Sequence, residues 1–424
     1  RGGIVMGVLA GIGILGLALI GTPLFIIMGL AALVAFSFTD VETSAVAVEI
    51  YRISSAPTLL TIPLFTFAGY VMAESKSPQR LLKFAEAALG WLPGGVAIVS
   101  LVICAFFTAF TGASGVTIIA LGGLLYPILK NEGYSEKFSL GIITTSGSLG
   151  LLFPPSLPII LYGLVAKVDI DKLFKAGILP GILLIIILSL WSIKNGQANS
   201  EKKKFHMGEI VSAFKGCFFE VLLPIAILVG IYGGYTTASE AAAFTAFYIL
   251  IIECFVYKDL NLFKDIPRVI LDSMSLVGGI LLILCCALGL TNYLVDEEVP
   301  MQIMEFMRTY LTSKYSFLLF LNIFLLIVGS MMDIFSAIIV VVPLIAPIAE
   351  EFGVNPVHLA IIFLTNLEIG YITPPVGINL FISSFRFKKP VTELYKASIP
   401  FLILLVIALA IITYVPVLSL WLIE

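Results

Sequence analysis

The sequence has 424 residues, of which 60% are hydrophobic and 12% are charged, and its mean hydropathy is +1.11. Soluble globular domains have roughly 45–50% apolar and about 25% charged residues, so this composition excludes a soluble protein and predicts an all-α polytopic membrane protein. The formal net charge of -3 leaves no basic field for nucleic acid, which we exclude as a partner.

The first apolar run, from Ile4 to Ile20, has the character of a signal-peptide core but is longer than the usual limit of about 15 residues. A second apolar run, Leu24 to Phe38, follows directly after the turn 21–23. We therefore predict two packed transmembrane helices joined by a tight turn rather than a cleaved leader.

A helix needs about 20 apolar residues to cross a hydrocarbon layer of about 30 Å. Several stretches meet this requirement, and the loops between them hold most of the charge. These predicted spans are residues 4–21, 23–39, 56–74, 174–193, 218–235, 239–256, 276–294 and 397–422. Two amphipathic segments, 76–90 and 300–312, are predicted to lie at the membrane interface as arms.

Shorter apolar runs come in two pairs, and each run is too short to cross the membrane alone. They are 96–110 and 117–129 around the tip 111–115, and 317–328 and 334–348 around the tip 329–333. Non-helical backbone at membrane depth is tolerated only where protein or water satisfies its polar groups. Both pairs are therefore predicted to form re-entrant hairpins with buried or functional tips.

Each hairpin is followed by one long apolar stretch, 136–166 or 357–386, that carries its own interruptions. These interruptions are 146–148 and 153–156 in the first stretch, and 368–370 and 373–376 in the second. Proline lacks a backbone N–H and clashes with the preceding helical turn. Both stretches are therefore predicted to be broken helices.

The two halves share these features at a single offset of 220 residues. The matches are Pro127 with Pro347, Gly133 with Gly353, Gly150 with Gly370, and Pro154-Pro155 with Pro374-Pro375. Repeats with corresponding glycine- and proline-interrupted segments are typical of secondary transporters and mark their binding sites. The sequence predicts two repeats, each with about five crossings, one re-entrant hairpin and one broken helix.

Lysine and arginine concentrate in the loops 76–83, 194–215 and 386–389, which the positive-inside rule assigns to the cytoplasm. The acidic stretches 40–49 and 296–298 then lie on the outer side. Counting crossings from these loops gives the repeats opposite orientations and places both chain ends outside.

Where a hairpin tip faces an unwound helix, helix ends and freed carbonyl groups surround a small cavity whose oxygen atoms suit a hard monovalent cation. The first predicted cluster is Thr111, Gly112, Ser114, Ser146, Ser148, Pro154 and Ser156. The second is Gly329, Ser330, Asp333, Thr365, Asn366, Gly370 and Thr373. Ionisable groups are costly inside a membrane, so Asp333 and Glu368 are functional candidates.

Structural interpretations of these residues stay open. Serine and threonine often bond a neighbouring helix carbonyl, Asp333 can cap a helix, and Glu368 can pair with a lysine in a watery vestibule. Glu240 and Glu253 lie near predicted helix ends and are interpreted as solvated or structural.

Two other classes of function also stay open. A membrane assembly subunit without a transport path leaves the two symmetric breaks unexplained. An intramembrane serine protease would use Ser114 in a GxSG pattern, but the reaction needs a base, and His206 and His358 are the only histidines. No phosphate-binding GxxxxGK[ST] loop is present, so an ion gradient is the predicted energy source, without any other cofactor or a transition metal.

The segments 112–163 and 329–381, with GGYTTASEAAAF at 233–244, resemble the large M subunit of tripartite ATP-independent periplasmic transporters of the DctM/SiaM type. The resemblance covers essentially the whole chain. It implies a symporter in the bacterial inner membrane that imports an organic acid, a sialic acid or a C4-dicarboxylate, driven by Na+. The implied partners are a periplasmic substrate-binding protein of the P type and a small four-helix membrane subunit of the Q type.

The resemblance also implies an elevator mechanism, in which a core slides against a scaffold. The implied core is 91–166 and 314–386, and the implied scaffold is 1–90, 167–313 and 387–424. The implied Na+ ligands are Thr111, Gly112, Ser114, Ser146, Ser148, Pro154, Gly329, Ser330, Asp333, Asn366, Gly370 and Thr373. The substrate would lie between the tips, near Ser114, Ser156, Ser330, Asn366 and Thr373. Gly115 departs from the small polar residue that the family often has there.

Overall fold

The structure, a computed structural model, describes residues 22–37, 57–195, 205–311 and 313–423, together with a few positions between residues 11 and 51. Within these ranges the chain forms helices and no strand, which confirms the all-α prediction. Most of the predicted span 4–21, the acidic stretch 40–49 and part of the basic loop 194–215 lie outside the described residues.

The helices of the first half alternate long apolar segments with short linkers. They are α1 (Leu24–Ser37), α2 (Thr61–Glu74), α3 (Ser77–Leu89), α4 (Gly95–Thr111), α5 (Ser114–Asn131), α6 (Glu136–Ser146), α7 (Leu157–Ala166) and α8 (Ile170–Asn195). Short 3-10 segments, Pro57–Leu60 and Leu149–Leu152, precede α2 and follow α6.

The second half has the same order after two connecting helices. Its helices are α9 (Met207–Gly216), α10 (Phe218–Tyr232), α11 (Ala238–Ile251), α12 (Ile266–Asp296), α13 (Val299–Tyr310), α14 (Lys314–Met331), α15 (Ile334–Glu351), α16 (Pro356–Gly370), α17 (Ile378–Phe387), α18 (Val391–Tyr414) and α19 (Val417–Leu420). A π-helical turn, Ile252–Val256, extends α11.

The internal repeat of the sequence is also a repeat of structure. Helices α5 and α15 begin and end at residues that differ by the same 220 positions. Pro154-Pro155 and Pro374-Pro375 are both cis, and Gly133 and Gly353 both have a positive φ. The prediction of two repeats, each with a hairpin and a broken helix, is confirmed, while their opposite orientation in a membrane stays a prediction.

At the centre of the molecule, helices of each repeat pack against helices of the other repeat. Helix α5 packs against α17, and α15 packs against α7, so the second arm of each hairpin contacts the broken helix of the other repeat. Helices α6 and α16 pack against α18 and α8 in the same reciprocal way. The hairpins and broken helices therefore form one intertwined body.

A second group of helices, α1, α2, α11 and α12, packs together beside this body. Its helix α2 contacts α4, and the equivalent helix α12 contacts α15. The two groups thus meet through the same helix of each repeat. Helices α8 and α18 pack mainly against the central body, so they are grouped with it here, and the core-and-scaffold division itself stays a prediction.

Several predicted bounds are wrong. Helices α8 and α12 start before the predicted spans, and α18 ends at Tyr414 instead of extending to 422. The hairpin arms are 17 or 18 residues long, and α5, α14 and α15 are long and apolar enough to cross a membrane by themselves. The predicted arms 96–110, 117–129 and 317–328 are shorter than the observed helices at both ends, and 334–348 is shorter at its C-terminal end.

The described residues contain 7 helices that are long and apolar enough to cross a membrane, or up to 9 if each bent pair is one span. The first broken helix bends by 45° between α6 and α7, and residues 371–377 separate α16 from α17. Glu368 and Gly370, predicted to be unwound, are helical, and so are Gly329 and Ser330. The predicted arms are helices, α3 and α13.

Candidate ion and substrate site

The first hairpin tip is a two-residue turn, Gly112-Ala113, between α4 and α5. Gly112 has a φ of 63°, and a Cβ at this position would lie 2.6 Å from Leu157 Cβ. Both the backbone and the packing therefore require glycine. Helix α5 starts at Ser114 without a side-chain cap, which leaves its first backbone N–H groups without a side-chain acceptor.

Three threonine hydroxyls and one carbonyl lie together behind this tip. Thr108 Oγ1 is 2.8 Å from the Gly147 carbonyl oxygen and 2.7 Å from Thr117 Oγ1, and Thr111 Oγ1 is 3.4 Å from Thr117 Oγ1. All three threonines are buried. Hydroxyl and carbonyl oxygens are ligands that hard cations prefer.

Sequence reasoning missed Thr108 and Thr117. They lie in helices one turn from the tip, and the prediction considered only the interrupted residues. The available signal was helical spacing, because Thr108 and Thr111 are three residues apart and therefore share a helix face.

The first break places its predicted residues differently. Ser146 Oγ donates to the Ile143 carbonyl of its own helix at 3.2 Å. Ser156 precedes α7 as its N-cap residue, and its hydroxyl is buried without a hydrogen-bond partner. Pro154 is buried in the turn between α6 and α7. Of these residues, Ser156 is the candidate ligand because its hydroxyl is unsatisfied.

The second tip uses its polar groups within the protein. Asp333 caps α15, since its Oδ1 accepts from Ser336 N at 2.8 Å and its Oδ2 accepts from Ser336 Oγ at 2.6 Å. Ile334 N donates to the Tyr371 hydroxyl at 2.8 Å. Ser330 Oγ donates to its own helix, and its carbonyl accepts from Gly377 N at 2.9 Å. The capping interpretation of Asp333 is confirmed, and a role in ion binding stays a prediction.

Most predicted polar residues of the second break bond helix carbonyls. Thr365 Oγ1 donates to Ile361, and Thr373 Oγ1 donates to Ile369. Asn366 Nδ2 donates to Asn322 Oδ1 at 2.7 Å, while Asn366 Oδ1 is buried without a hydrogen-bond partner.

Gly329 and Gly370 serve close packing. A Cβ on Gly370 would lie 2.4 Å from the Gly329 carbonyl carbon, so both glycines allow α14 and α16 to touch through their backbones. Residues 374–376 of this break are exposed, whereas 154–156 of the first break are buried.

The two breaks meet where equivalent residues touch. Ser148 Oγ donates to the Glu368 carbonyl at 3.4 Å, and these residues are 220 positions apart. The pseudo-two-fold axis therefore passes between them. The Glu368 carboxylate is fully buried and has no hydrogen-bond partner among the described residues, so the alternative in which it pairs with a lysine is wrong.

Asn379 is a further residue that sequence reasoning missed. Its Nδ2 donates to the Thr144 carbonyl of the other repeat at 3.2 Å, while its Oδ1 is buried without a hydrogen-bond partner. Thr144 Oγ1 also donates to Ser383 Oγ at 2.9 Å. A polar residue two positions after Gly377, in the first turn of α17, was the available signal.

The remaining candidates have structural roles. His358 Nδ1 lies 3.1 Å from Ser419 Oγ, and its Nε2 lies 3.1 Å from the Thr413 carbonyl, so it is not a base for Ser114. Glu240 forms a capping box with Thr237. Among the described residues, no group of three or more His, Cys, Asp or Glu side chains could hold a metal ion.

Helix N-termini gather around the two tips. Helices α5, α7 and α17 begin there without side-chain caps, and their positive dipole ends favour an anion. The hydroxyls and carbonyls behind the first tip favour a cation. The arrangement can therefore hold a cation and an anionic group close together.

Residues 12–418 match the family described as tripartite ATP-independent periplasmic transporter, DctM component. The C4-dicarboxylate TRAP transporter large permease protein DctM of Pseudomonas aeruginosa is 35% identical over 92% of this chain and 91% of its own length. The isethionate TRAP transporter permease protein DctMQ of Oleidesulfovibrio alaskensis is 36% identical over 94% of this chain, which spans 63% of that relative.

A similar fold occurs in the crystal structure of the Alcanivorax borkumensis YdaH transporter, with a TM-score of 0.63 and 13% identity over 87% of this chain and 86% of that one. The same conclusion follows from the duplicated hairpins, from the apolar helices and from the family match over nearly the whole chain. They leave no support for a protease or another enzyme. The chain is a multi-pass membrane protein that belongs to the DctM family, the large permease subunits of tripartite ATP-independent periplasmic transporters.

Proposed function

We propose that this subunit couples the inward movement of Na+ to the import of an organic acid across the bacterial inner membrane. The observation that carries the proposal is the buried group of Thr108, Thr111 and Thr117 hydroxyls with the Gly147 carbonyl, directly behind an uncapped helix start. Such a group offers oxygen ligands to a cation and backbone donors to an anion within one site. Binding of one therefore favours binding of the other.

The first Na+ site comprises these hydroxyls together with the backbone around Gly112, Ser114 and Ser148. The second Na+ site lies at the other tip and uses Asp333 and the carbonyls around Ser330. Asp333 contributes charge there, because its carboxylate oxygens can each accept a second interaction beyond the capping bonds to Ser336.

The substrate is an organic acid, a sialic acid or a C4-dicarboxylate, bound between the tips. The uncapped N-termini of α5, α7 and α17 hold its acid group. Ser114, Ser156, Ser330, Asn366 and Thr373 line the remainder. Ser156 Oγ and Asn366 Oδ1 supply the specific contacts, since both are buried and lack a partner.

Import proceeds by an elevator movement of the central body against α1, α2, α11 and α12, with α2 and α12 at the sliding surface. A periplasmic binding protein delivers the substrate, and a small four-helix membrane subunit completes the transporter. The relative named DctMQ, of which this chain spans 63%, supports a second membrane component.

Reconstitution in proteoliposomes tests the proposal. The chain is incorporated with its small partner, and uptake of labelled succinate and labelled N-acetylneuraminate is measured with the matching loaded binding protein outside. We expect uptake with an inward Na+ gradient and none when K+ replaces Na+ at the same membrane potential. Equal uptake in both salts would rule out Na+ coupling.

A further inference from the structure

The first arm, α3, carries one arginine that is surrounded by three carboxylates from elsewhere in the chain. Arg80 Nη2 bonds both carboxylate oxygens of Glu253 at 2.9 and 3.0 Å, its Nε bonds Glu220, and its Nη1 bonds Asp259. Glu220 lies on α10, Glu253 on the turn that extends α11, and Asp259 in the following loop. The guanidinium therefore joins α3 to both helices.

Further contacts enclose this cluster. The Tyr257 ring lies 3.8 Å from Arg80 Cζ, and its hydroxyl donates to Glu220 Oε2 at 2.9 Å. The Lys76 backbone N–H donates to Asp259 Oδ2 at 3.1 Å. The side chains of Glu220 and Glu253 are 0% exposed and that of Arg80 is 17% exposed, so the two glutamates have no water to replace the arginine.

A buried charge that loses its partner is strongly destabilised. Burial lowers the pKa of Arg80, but Asp259, Glu253 and Glu220 raise that pKa further, so its net shift is upward. Arg80 therefore stays cationic, and moving α3 away from α10 and α11 would leave two buried carboxylates without a counter-ion.

The linker from α3 to α4 contacts α3 at Trp91 and, three residues later, contacts α8 at Gly94. Trp91 Nε1 donates to the Ala88 carbonyl of α3 at 2.8 Å. Gly94 has a φ of 72° and packs against Ile193 of α8, since a Cβ there would lie 3.3 Å from Ile193 Cα. One end of the linker thus belongs to the arm and the other to the central body.

Helix α3 also packs against α4. The buried residues of α3 include Leu81, Leu82 and Ala85, and apolar contacts are non-directional and permit sliding. The hydrogen bonds of Arg80 fix both distance and angle. A movement of the hairpin would therefore break the contact of α3 with α4 more easily than the bonds of Arg80.

We propose that Arg80 is a positioning residue that clamps α3 to α10 and α11, so that α3 stays with the scaffold and residues 91–94 are the hinge for the first hairpin. This inference rests on the elevator movement of the proposed function. The second repeat has Pro300 at the position equivalent to Arg80, and its arm α13 packs against the hairpin helix α15. The second arm therefore has no arginine at the position of the clamp.

Two cysteine pairs test the inference in the complete transporter, after the five free cysteines are replaced. Phe84→Cys with Phe214→Cys links α3 to α9, where the two native rings lie 5.6 Å apart. Leu164→Cys with Tyr235→Cys links α7 to the loop between α10 and α11 across a cavity of about 670 Å³ that both residues line. A short bis-maleimide closes each pair in proteoliposomes, and Na+-driven uptake of labelled succinate and labelled N-acetylneuraminate is measured.

We expect the link from α3 to α9 to leave uptake unchanged, and the link from α7 to the loop to abolish it. Loss of uptake with the first link would overturn the clamp, because α3 would then have to move. Full uptake with the second link would instead refute the elevator movement. The two failures are therefore distinguishable.

Arg80→Gln and Arg80→Lys provide a second measurement. We expect Arg80→Gln to lower the maximal uptake rate by about tenfold, since the buried carboxylates lose their partner, without changing the Na+ concentration at half-maximal uptake. Arg80→Lys keeps the charge but not the planar fork and should restore part of the rate. A folded Arg80→Gln protein with normal uptake would refute the role, and if that variant fails to fold, the cysteine pairs decide.

Discussion

At the first hairpin tip, Gly112 and Ala113 leave α5 without a side-chain cap, whereas at the second tip Asp333 caps α15. The two helices have equivalent bounds, but the turns before them differ, since Gly112 is left-handed and its equivalent Met332 is extended. At the first tip, the backbone donors at the start of α5 have no side-chain acceptor. At the second tip, Asp333 caps its own helix and the Ser330 carbonyl bonds the adjacent break.

The cluster of three threonine hydroxyls behind the first tip has no counterpart in the other repeat. The residues equivalent to Thr108, Thr111 and Thr117 at the offset of 220 are Val328, Met331 and Ala337. Duplication has therefore kept the bounds of the helices around the site, while the backbone of the turn and the polar side chains have diverged. Of the two proposed cation sites, the first would have more side-chain oxygen ligands, and the second would depend on Asp333.

The largest expected effect is that of Gly112→Ala. Its Cβ would lie 2.6 Å from Leu157 Cβ, and the residue would keep a φ of 63°. The left-handed conformation costs about 1–2 kcal/mol and overpacking about 1–3 kcal/mol, so we expect a loss of about 2–5 kcal/mol of unfolding free energy and of nearly all uptake. Thermal unfolding and uptake assays measure the two effects.

The equivalent position in the other tip is Met332, whose backbone is extended. Met332→Ala is the matched control and should cost about 1 kcal/mol, as do many partly buried truncations. Equal losses of unfolding free energy in the two variants would mean that position 112 has no stricter requirement for its residue than position 332.

Asp333→Asn separates charge from capping at the second tip. Asparagine caps helices as well as aspartate does, so the unfolding free energy should change by less than about 0.5 kcal/mol. We expect the Na+ concentration at half-maximal uptake to rise by about tenfold, as for loss of about 1.4 kcal/mol of binding energy. Asn355→Ala, which removes the cap of α16, should lower stability and leave the Na+ dependence intact.

An unchanged Na+ dependence in Asp333→Asn would assign Asp333 to capping alone. The second tip would then contribute backbone groups only, and the contrast between the tips would become greater than proposed.

Thr117→Val makes the first tip resemble the second. Valine keeps the shape but removes a hydroxyl worth about 1 kcal/mol, so we expect the Na+ requirement to rise by about fivefold. Thr245→Val is the control, because that hydroxyl donates to Ala241 within α11, outside the tips. If both variants have the same Na+ concentration at half-maximal uptake as the original protein, the cluster of threonine hydroxyls is not the cation site.

The sequence predicted the hairpins, the broken helices and the repeat because glycine and proline mark places where a helix cannot continue. It placed Gly112, Pro154 and Pro374 in non-helical turns, as observed. It failed for Gly329 and Gly370, which are helical, because a glycine needed for close helix contact looks the same in sequence as one needed for a turn.

The ligand groups were less predictable, since hydrogen-bond partners depend on helices distant in sequence. Thr365 and Thr373 look like ligands but donate to carbonyls of α16. Thr108 and Thr117 look like ordinary helix residues but face each other across the hairpin. The partners of Arg80 are 140 or more positions away along the chain, beyond any local pattern.

The smallest expected effect is at the axis between the two breaks, where Ser148 Oγ donates to the Glu368 carbonyl at 3.4 Å. This long hydrogen bond links equivalent residues, so Ser148→Ala removes a contact between the breaks and leaves both tips intact. We expect a loss of about 0.5–1 kcal/mol in unfolding free energy. The Na+ concentration at half-maximal uptake should not change, because the proposed Na+ site uses the backbone at Ser148 and not its hydroxyl. Ser192→Ala removes a hydroxyl that bonds only its own helix α8 and should cost less. If the two variants are equally stable, the breaks are held together by packing alone, and any difference between the tips must arise within each tip.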